Sequence, residues 1–177
     1  MPRLFTGLEI PASLAEDLAL LRGGLAGARW IDAEDYHITL RFIGDIDGAR
    51  ARDIEAMLAD IRKRPFTVTL SGLGVFGGDR PRAIVVRARP DQPLVELQAK
   101  HEQTLRRLGL AAEPRKFTPH VTLARLKAAS QMGVADYLSA RGWFLSRAFE
   151  AKRFVLFSSR NSVGGGPYVV EAAYPLG

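Results

Sequence analysis

Apolar positions along the chain fall into two periods, and each period marks a kind of element. Leu14, Leu18, Leu21 and Leu25 recur on one helical face, with Ser13 and Glu16 at capping-box spacing, which predicts a helix over residues 11–23 closed by Gly23-Gly24. Ile54, Met57, Leu58 and Ile61 form a second stripe within residues 48–63, stopped by Pro65. Leu94, Leu97, His101, Leu105 and Leu108 form a third over 92–108, stopped by Gly109, and residues 131–140 read as a short fourth helix. The two-residue period of strands appears in residues 3–10, 36–42, 66–73, 83–88, 117–126, 149–158 and 168–174, with a short segment at 29–31. About seven strands and four helices, in strand-helix-strand order in both halves, predict an α+β fold of two sheet lobes facing across a cleft. No linker separates the halves, so one bilobal domain over residues 1–177 is expected.

Within the strand pattern, one tetrapeptide occurs twice. His37-Ile38-Thr39-Leu40 returns as His120-Val121-Thr122-Leu123, about half the chain later, and only three histidines are present in all. Such an echo points to an internal repeat in which each half gives one His and one Thr to a shared cleft. Alternation sets His37, Thr39 and Arg41 on one face, with Ile38, Leu40 and Phe42 on the other; His120 and Thr122 likewise share a face, with Val121 and Leu123 turned to the core. Strand spacing separates the His and Thr of each copy by roughly 6–7 Å, suited to gripping different atoms of one small anion. His101, flanked by helical leucines and lacking a Thr two residues on, reads as a packed residue.

At 177 residues, with 47% hydrophobic and 25% charged residues, the composition is that of an ordered globular domain. No apolar run reaches the length of a membrane span and no signal-peptide segment opens the chain, so a cytoplasmic protein with no membrane association is expected. The absence of cysteine excludes disulfides, zinc-thiolate sites and a Cys nucleophile. A net charge of +6 favours polyanionic partners, although Arg62-Lys63-Arg64, Arg106-Arg107 and Arg115-Lys116 also read as solvated helix ends. The glycines of residues 72–81 fit neither a Walker A loop nor GxGxxG and read as a strand connection, as does Gly164-Gly165-Gly166-Pro167.

Two His and two Thr suit acid-base catalysis better than metal binding, which calls for three or four ligands, or a hydrolytic triad, for which there is no GxSxG elbow. Near pH 6.5 one imidazole accepts a proton while the other donates one, which fits in-line displacement at phosphorus and a bell-shaped rate profile around neutrality. Thr39 and Thr122 would hydrogen-bond the non-bridging oxygens. The motif is symmetric and does not tell acid from base.

These motifs resemble those of the two-histidine (2H) phosphoesterases, and among them the RNA 2′,3′-cyclic phosphodiesterases, also known as 2′-5′ RNA ligases. Flanking stretches carry the resemblance across nearly the full chain: Arg3-Leu4-Phe5, Trp30, Phe42-Ile43-Gly44, Phe76-Gly77 through Pro81-Arg82, Phe117-Thr118-Pro119, Ala124-Arg125 and residues 168–176. The resemblance implies two antiparallel sheets lining a central cleft, with helices outside and a pseudo-two-fold repeat. It implies a hydrolase that opens a terminal RNA 2′,3′-cyclic phosphate to a 2′-phosphate without cofactor or metal, and that also joins tRNA halves through 2′-5′ linkages without ATP. By the same likeness His37 is the proton donor and His120 the proton acceptor, and Thr39, Thr122 and Arg125 bind phosphate. Strict alternation nevertheless turns Arg125 away from His120 unless the strand bends, bulges or ends, and directs Phe42 to core packing. A monomer acting on RNA is expected; the competing readings are a phosphodiesterase of small cyclic nucleotides or ADP-ribose cyclic phosphate, and a non-catalytic RNA-end-binding module.

Overall fold

A computed structural model of the chain describes residues 3–159 and 166–177; Gly164 and Gly165 of the second glycine-rich loop lie outside the described residues. In chain order the elements are β1 (Arg3–Glu9), α1 (Ala12–Ala19), β2 (Ala28–Trp30), a short 3-10 turn (Ala33–Asp35), β3 (His37–Asp45), α2 (Gly48–Leu58), β4 (Phe66–Phe76), β5 (Ala83–Ala88), α3 (Gln92–Arg107), β6 (His120–Leu126), α4 (Gln131–Ser139), β7 (Arg147–Ala151), β8 (Arg153–Ser159) and β9 (Tyr168–Pro175).

The strands run in the order β7-β4-β5-β6-β3-β1-β8-β9, with β2 paired to β6. Every registered pairing is antiparallel. At the centre, β3 and β6 meet through a single registered pair, Ile38 opposite Val121. On either side the order repeats in mirror sense: β6, β5, β4, β7 one way and β3, β1, β8, β9 the other. The two expected antiparallel sheets are thus two four-strand halves of one continuous sheet, joined at one bridge. The four helices pack their apolar stripes (Leu14 and Leu18, Ile54 and Leu58, Leu94, Leu97 and Leu105, Val134 and Tyr137) into one core with the inward strand residues. A second, smaller cluster of Phe5, Val155 and Phe157, with Tyr168 against it, is separate from that core.

Several local expectations are corrected. α1 is capped by Pro11 with no side-chain cap bond, so Ser13 and Glu16 lie inside the helix and make no capping box. α1 and α2 end four or five residues short of their expected ends because Leu21 and Ile61 stay packed against the core after the chain has left the helix. The expected strand 149–158 is two strands: the chain leaves β4's side of the sheet at Ala151, and β8 starts at Arg153 against β9 and pairs with β1 from Val155 onward. Of the three basic clusters only Arg106-Arg107 sits in the last turn of a helix; the others lie in connections.

The decisive irregularity is a β-bulge in each central strand. Gly7 registers with Thr39 but Thr6 with Arg41, leaving Leu40 extra; Val85 registers with Thr122 but Ile84 with Ala124, leaving Leu123 extra. An inserted residue reverses the phase of every side chain beyond it. Arg41, expected beside His37 and Thr39, is therefore buried at 7% exposure, and donates to Glu102 of α3 and to the carbonyls of Phe42 and Ala111. A buried guanidinium needs such partners, and here they tie β3 to α3 and to the segment that leads into β6. Phe42, expected in the core, is instead 45% exposed, and Arg125 takes the same face as His120.

β1 lies close enough to β3 that a Cβ on Gly7 would sit 2.7 Å from the Ile38 carbonyl oxygen and 3.2 Å from the Phe157 ring. Gly7→Ala is expected to lower the unfolding free energy by about 1–3 kcal/mol through this overpacking. Urea unfolding with an unchanged midpoint would contradict the close approach of β1 to β3.

Candidate active site

Each motif histidine opens its strand, and each is locked by the residue two positions earlier. His37 Nδ1–H donates to the Asp35 carbonyl at 2.9 Å, and His120 Nδ1–H donates to the Thr118 carbonyl at 2.7 Å. In the neutral imidazole this fixes the tautomer, leaving both Nε2 atoms as the free acceptors. Thr39 Oγ1 lies 3.0 Å from His37 Nε2 and donates its proton to that lone pair. Extending the Ile38–Val121 register by one residue each way sets His37 across from Thr122 and His120 across from Thr39.

His37, Thr39, His120, Thr122 and Arg125, the five site residues expected from sequence, all line one cavity of about 740 Å³. The walls hold aromatic residues whose place in the site the strand pattern concealed. Phe5 stacks on Phe42 with ring centroids 5.7 Å apart and planes 13° from parallel. Phe5 and Tyr168 each lie 5.0 Å from the His37 ring, Tyr168 edge-on at 87°. Phe76 meets His120 edge-on at 4.7 Å, and the Arg87 guanidinium lies over the Phe76 ring at 5.2 Å. The signal that could have exposed Phe42 is its equivalence to Arg125, five residues after the motif histidine in each copy.

Asp35 does two jobs in this geometry. Its carbonyl orients His37, and its carboxylate accepts the Tyr168 N–H at 3.2 Å, holding the start of β9 over the cleft. Asp32, Glu34 and Asp35 also bring three carboxylates within 4.8 Å of one another, but two of them are exposed and Asp35 is already engaged. His101 lies elsewhere: fully buried, bonded to Thr6 Oγ1 at 2.9 Å and packed on Phe154, as its leucine neighbours implied.

The family model described as LigT like Phosphoesterase matches the chain twice in succession, over residues 8–86 and 85–168. The chain belongs to the LigT-like phosphoesterase family, within the two-histidine superfamily. Each match contains one of the two His-x-Thr motifs, as a duplication requires. An Aeropyrum pernix protein named RNA 2′,3′-cyclic phosphodiesterase is 38% identical over 121 residues, covering 65% of this chain and 69% of that protein. A Bacillus subtilis protein of the same name is 32% identical over 130 residues, 70% of this chain and 71% of its own. In fold, the chain superposes on Escherichia coli LigT complexed with 3′-AMP at a TM-score of 0.75 and 23% identity, covering 99% of both chains.

In this LigT-like phosphoesterase the electrostatics of the two imidazoles are one-sided. Burial pulls His37 down to about 4, outweighing the favourable Asp35 carbonyl, and His120 and Arg125 push the same way. Burial also lowers His120, against the Thr118 carbonyl and together with Arg125 and Arg87. Both histidines are therefore neutral at pH 7, poised in a cationic cleft whose missing counter-charge is an anion. An NMR titration should find His37 and His120 protonating below pH 6.5, with His37 the lower, and saturating inorganic phosphate should move both upward. An imidazole holding at or above pH 6.5 without an anion would overturn this account of the site.

Proposed function

We propose that this protein is an RNA 2′,3′-cyclic phosphodiesterase, working as a single bilobal unit, that opens a terminal cyclic phosphate to a 2′-phosphate by two-histidine acid-base catalysis. The observation that carries the reading is the convergence of both His-x-Thr motifs on one cavity, with backbone carbonyls holding each Nδ1–H so that each Nε2 is the unprotonated acceptor turned to the cleft. Relatives named for this activity at 32–38% identity support it.

In the mechanism, His120 Nε2 takes the proton of the attacking water as its oxygen bonds to phosphorus. The bond from phosphorus to O3′ breaks on the opposite side, and His37 Nε2–H supplies the proton that O3′ needs. Thr39 and Thr122 hydroxyls donate to the non-bridging oxygens as charge gathers there, and the Arg125 guanidinium pairs with the same oxygens. Thr39 thus exchanges its resting bond to His37 for one to phosphate, freeing His37 as the acid. Phe42, backed face-on by Phe5 and open on its outer face, offers a shelf for the base of the terminal nucleoside on the His37 side.

The depressed imidazoles move the expected pH profile. Turnover needs His37 protonated and His120 neutral, the minor singly protonated form because His37 is the weaker base in the free protein, and above the higher of their two pKa values that form declines about tenfold per pH unit. Both values lie below 6.5 in the free protein, so kcat/KM should peak on the acid side rather than at neutrality. The bound phosphodiester anion favours protonation, so kcat should peak at higher pH than kcat/KM.

Incubating the protein with cyclic-phosphate-ended RNA in EDTA should yield an end that phosphatase removes. His37→Ala and His120→Ala should each cost about 10²–10⁴-fold in kcat with the fold intact. Turnover surviving in both variants would refute the mechanism, and salt-sensitive binding without product in the native protein would leave only an RNA-end-binding role.

A further inference from the structure

We propose that Lys116 holds the phosphate on the 5′ side of the terminal nucleotide, the first internucleotide linkage of the RNA, and so selects an RNA end over a free cyclic mononucleotide. This rests on the reading of the site as an RNA cyclic phosphodiesterase and assigns the residue that meets the rest of the strand.

Topology places Lys116. β3 and β6 run antiparallel through the Ile38–Val121 pair, so the chain entering β6 passes alongside the residues that follow Thr39 in β3. Side chains tie the two together: Arg41 donates to the Ala111 carbonyl, and Glu102, which accepts from Arg41, also accepts the Glu113 N–H at 3.0 Å. The Arg41–Glu102 pair thus anchors one end of segment 111–118 to the Phe42 half of the cleft. At the other end the Thr118 hydroxyl donates to the Lys116 carbonyl at 3.4 Å, and the Thr118 carbonyl holds the His120 ring. A segment tied at both ends gives Lys116 a fixed base from which to reach a ligand.

Charge singles out the same residue. Of the cations lining this half of the cavity, Arg115 donates to Glu113 from both its backbone N–H and its guanidinium, and Arg3 lies 3.9 Å from Asp45. Lys116 is exposed and has no carboxylate within ion-pair distance among the described residues. Glu113 neutralises Arg115 and leaves the charge of Lys116 for the cleft.

Sugar geometry supplies the ligand. With the terminal base on the Phe42 shelf and O3′ turned to His37, C4′ and C5′ follow on the O3′ side of the ribose, because C4′ is bonded to C3′. The 5′ phosphate therefore leaves the site across the half that carries Phe42 and Lys116. A lysine suits it, since a flexible ammonium meets a phosphate as a point charge and reads no sequence. Arg82 lines the opposite half, where its carbonyl accepts the Leu126 N–H at 2.8 Å, and serves as the control.

The test uses three substrates that share one terminal nucleoside 2′,3′-cyclic phosphate: with a free 5′-hydroxyl, with a 5′-phosphate methyl diester, and as the end of a short RNA. In the native enzyme kcat/KM should rise about tenfold from the first to the second, the size of one charge-assisted contact. Lys116→Ala should erase that gain while hydrolysing the first within about twofold, and should make the logarithmic salt slope for the RNA shallower by about 0.7. Lys116→Arg should keep the gain, and so should Arg82→Ala. A native enzyme indifferent to the 5′ diester would overturn the proposal and leave the hydrolase standing. So would a Lys116→Ala variant that keeps the preference or loses all three substrates alike, or an equal loss of the preference in Arg82→Ala. A native enzyme that hydrolyses none of the three would sink the functional reading, and this proposal with it.

Discussion

The molecule turns on one backbone bridge. Ile38 and Val121 are fully buried and face each other across the centre of the sheet, and among the described residues no other registered pair joins β3 to β6. The residue before each and the residue after each are the His and Thr of the motif, so the bridge that holds the halves together also brings the four polar groups to one place. Alternation does the rest. With Ile38 and Val121 committed to the helix-side core, their neighbours have only the cleft to face. Two imidazoles from distant segments become a pair because the apolar residue between each His and Thr cannot be anywhere else.

The strand pattern made that part of the site legible. His37, Thr39, His120 and Thr122 all precede the bulges, where strict alternation holds. Phe42 and Arg125 follow them, and there the same rule predicts the wrong face for both. The bulge leaves two successive buried residues, Leu40-Arg41 and Leu123-Ala124, and in the first of these the second residue is an arginine. A charged residue reads as cleft-facing in a one-dimensional pattern; only Glu102 and the carbonyls of Phe42 and Ala111 show why it is buried. The division of the chain at Lys152 was hidden for a related reason. Neither Gly nor Pro marks it, and what ends one strand and starts the next is a change of partner.

The two imidazoles are held neutral at pH 7 by the fold. Backbone carbonyls fix each ring from behind, but burial and nearby guanidinium groups oppose charging it. Protonating either ring in the empty cleft places a cation among cations. A phosphodiester anion opposes that balance, since a negative charge beside an imidazole favours its protonation. Protonation of either ring is thereby favoured when an anion is present. His101 shows the contrast within the same chain: burial alone lowers it to about 3, it sits against Phe154, and no cleft gives its proton anywhere to go.

A duplicated site would by itself be indifferent to direction, yet displacement at phosphorus has an entering side and a leaving side. The repeat keeps the same His and Thr in both copies, and the residues that differ in kind on the cleft face come beyond the bulge. There the same backbone position presents Phe42 in one copy and Arg125 in the other, and its partner strand presents Phe5 or Ala83. One half can stack a base, and the other can hold charge. Because the bulge carries these residues onto the face the histidines share, the asymmetry lies in the same cleft as the symmetric groups. The irregularity in the strands is thus what sets unlike neighbours beside two equivalent histidines.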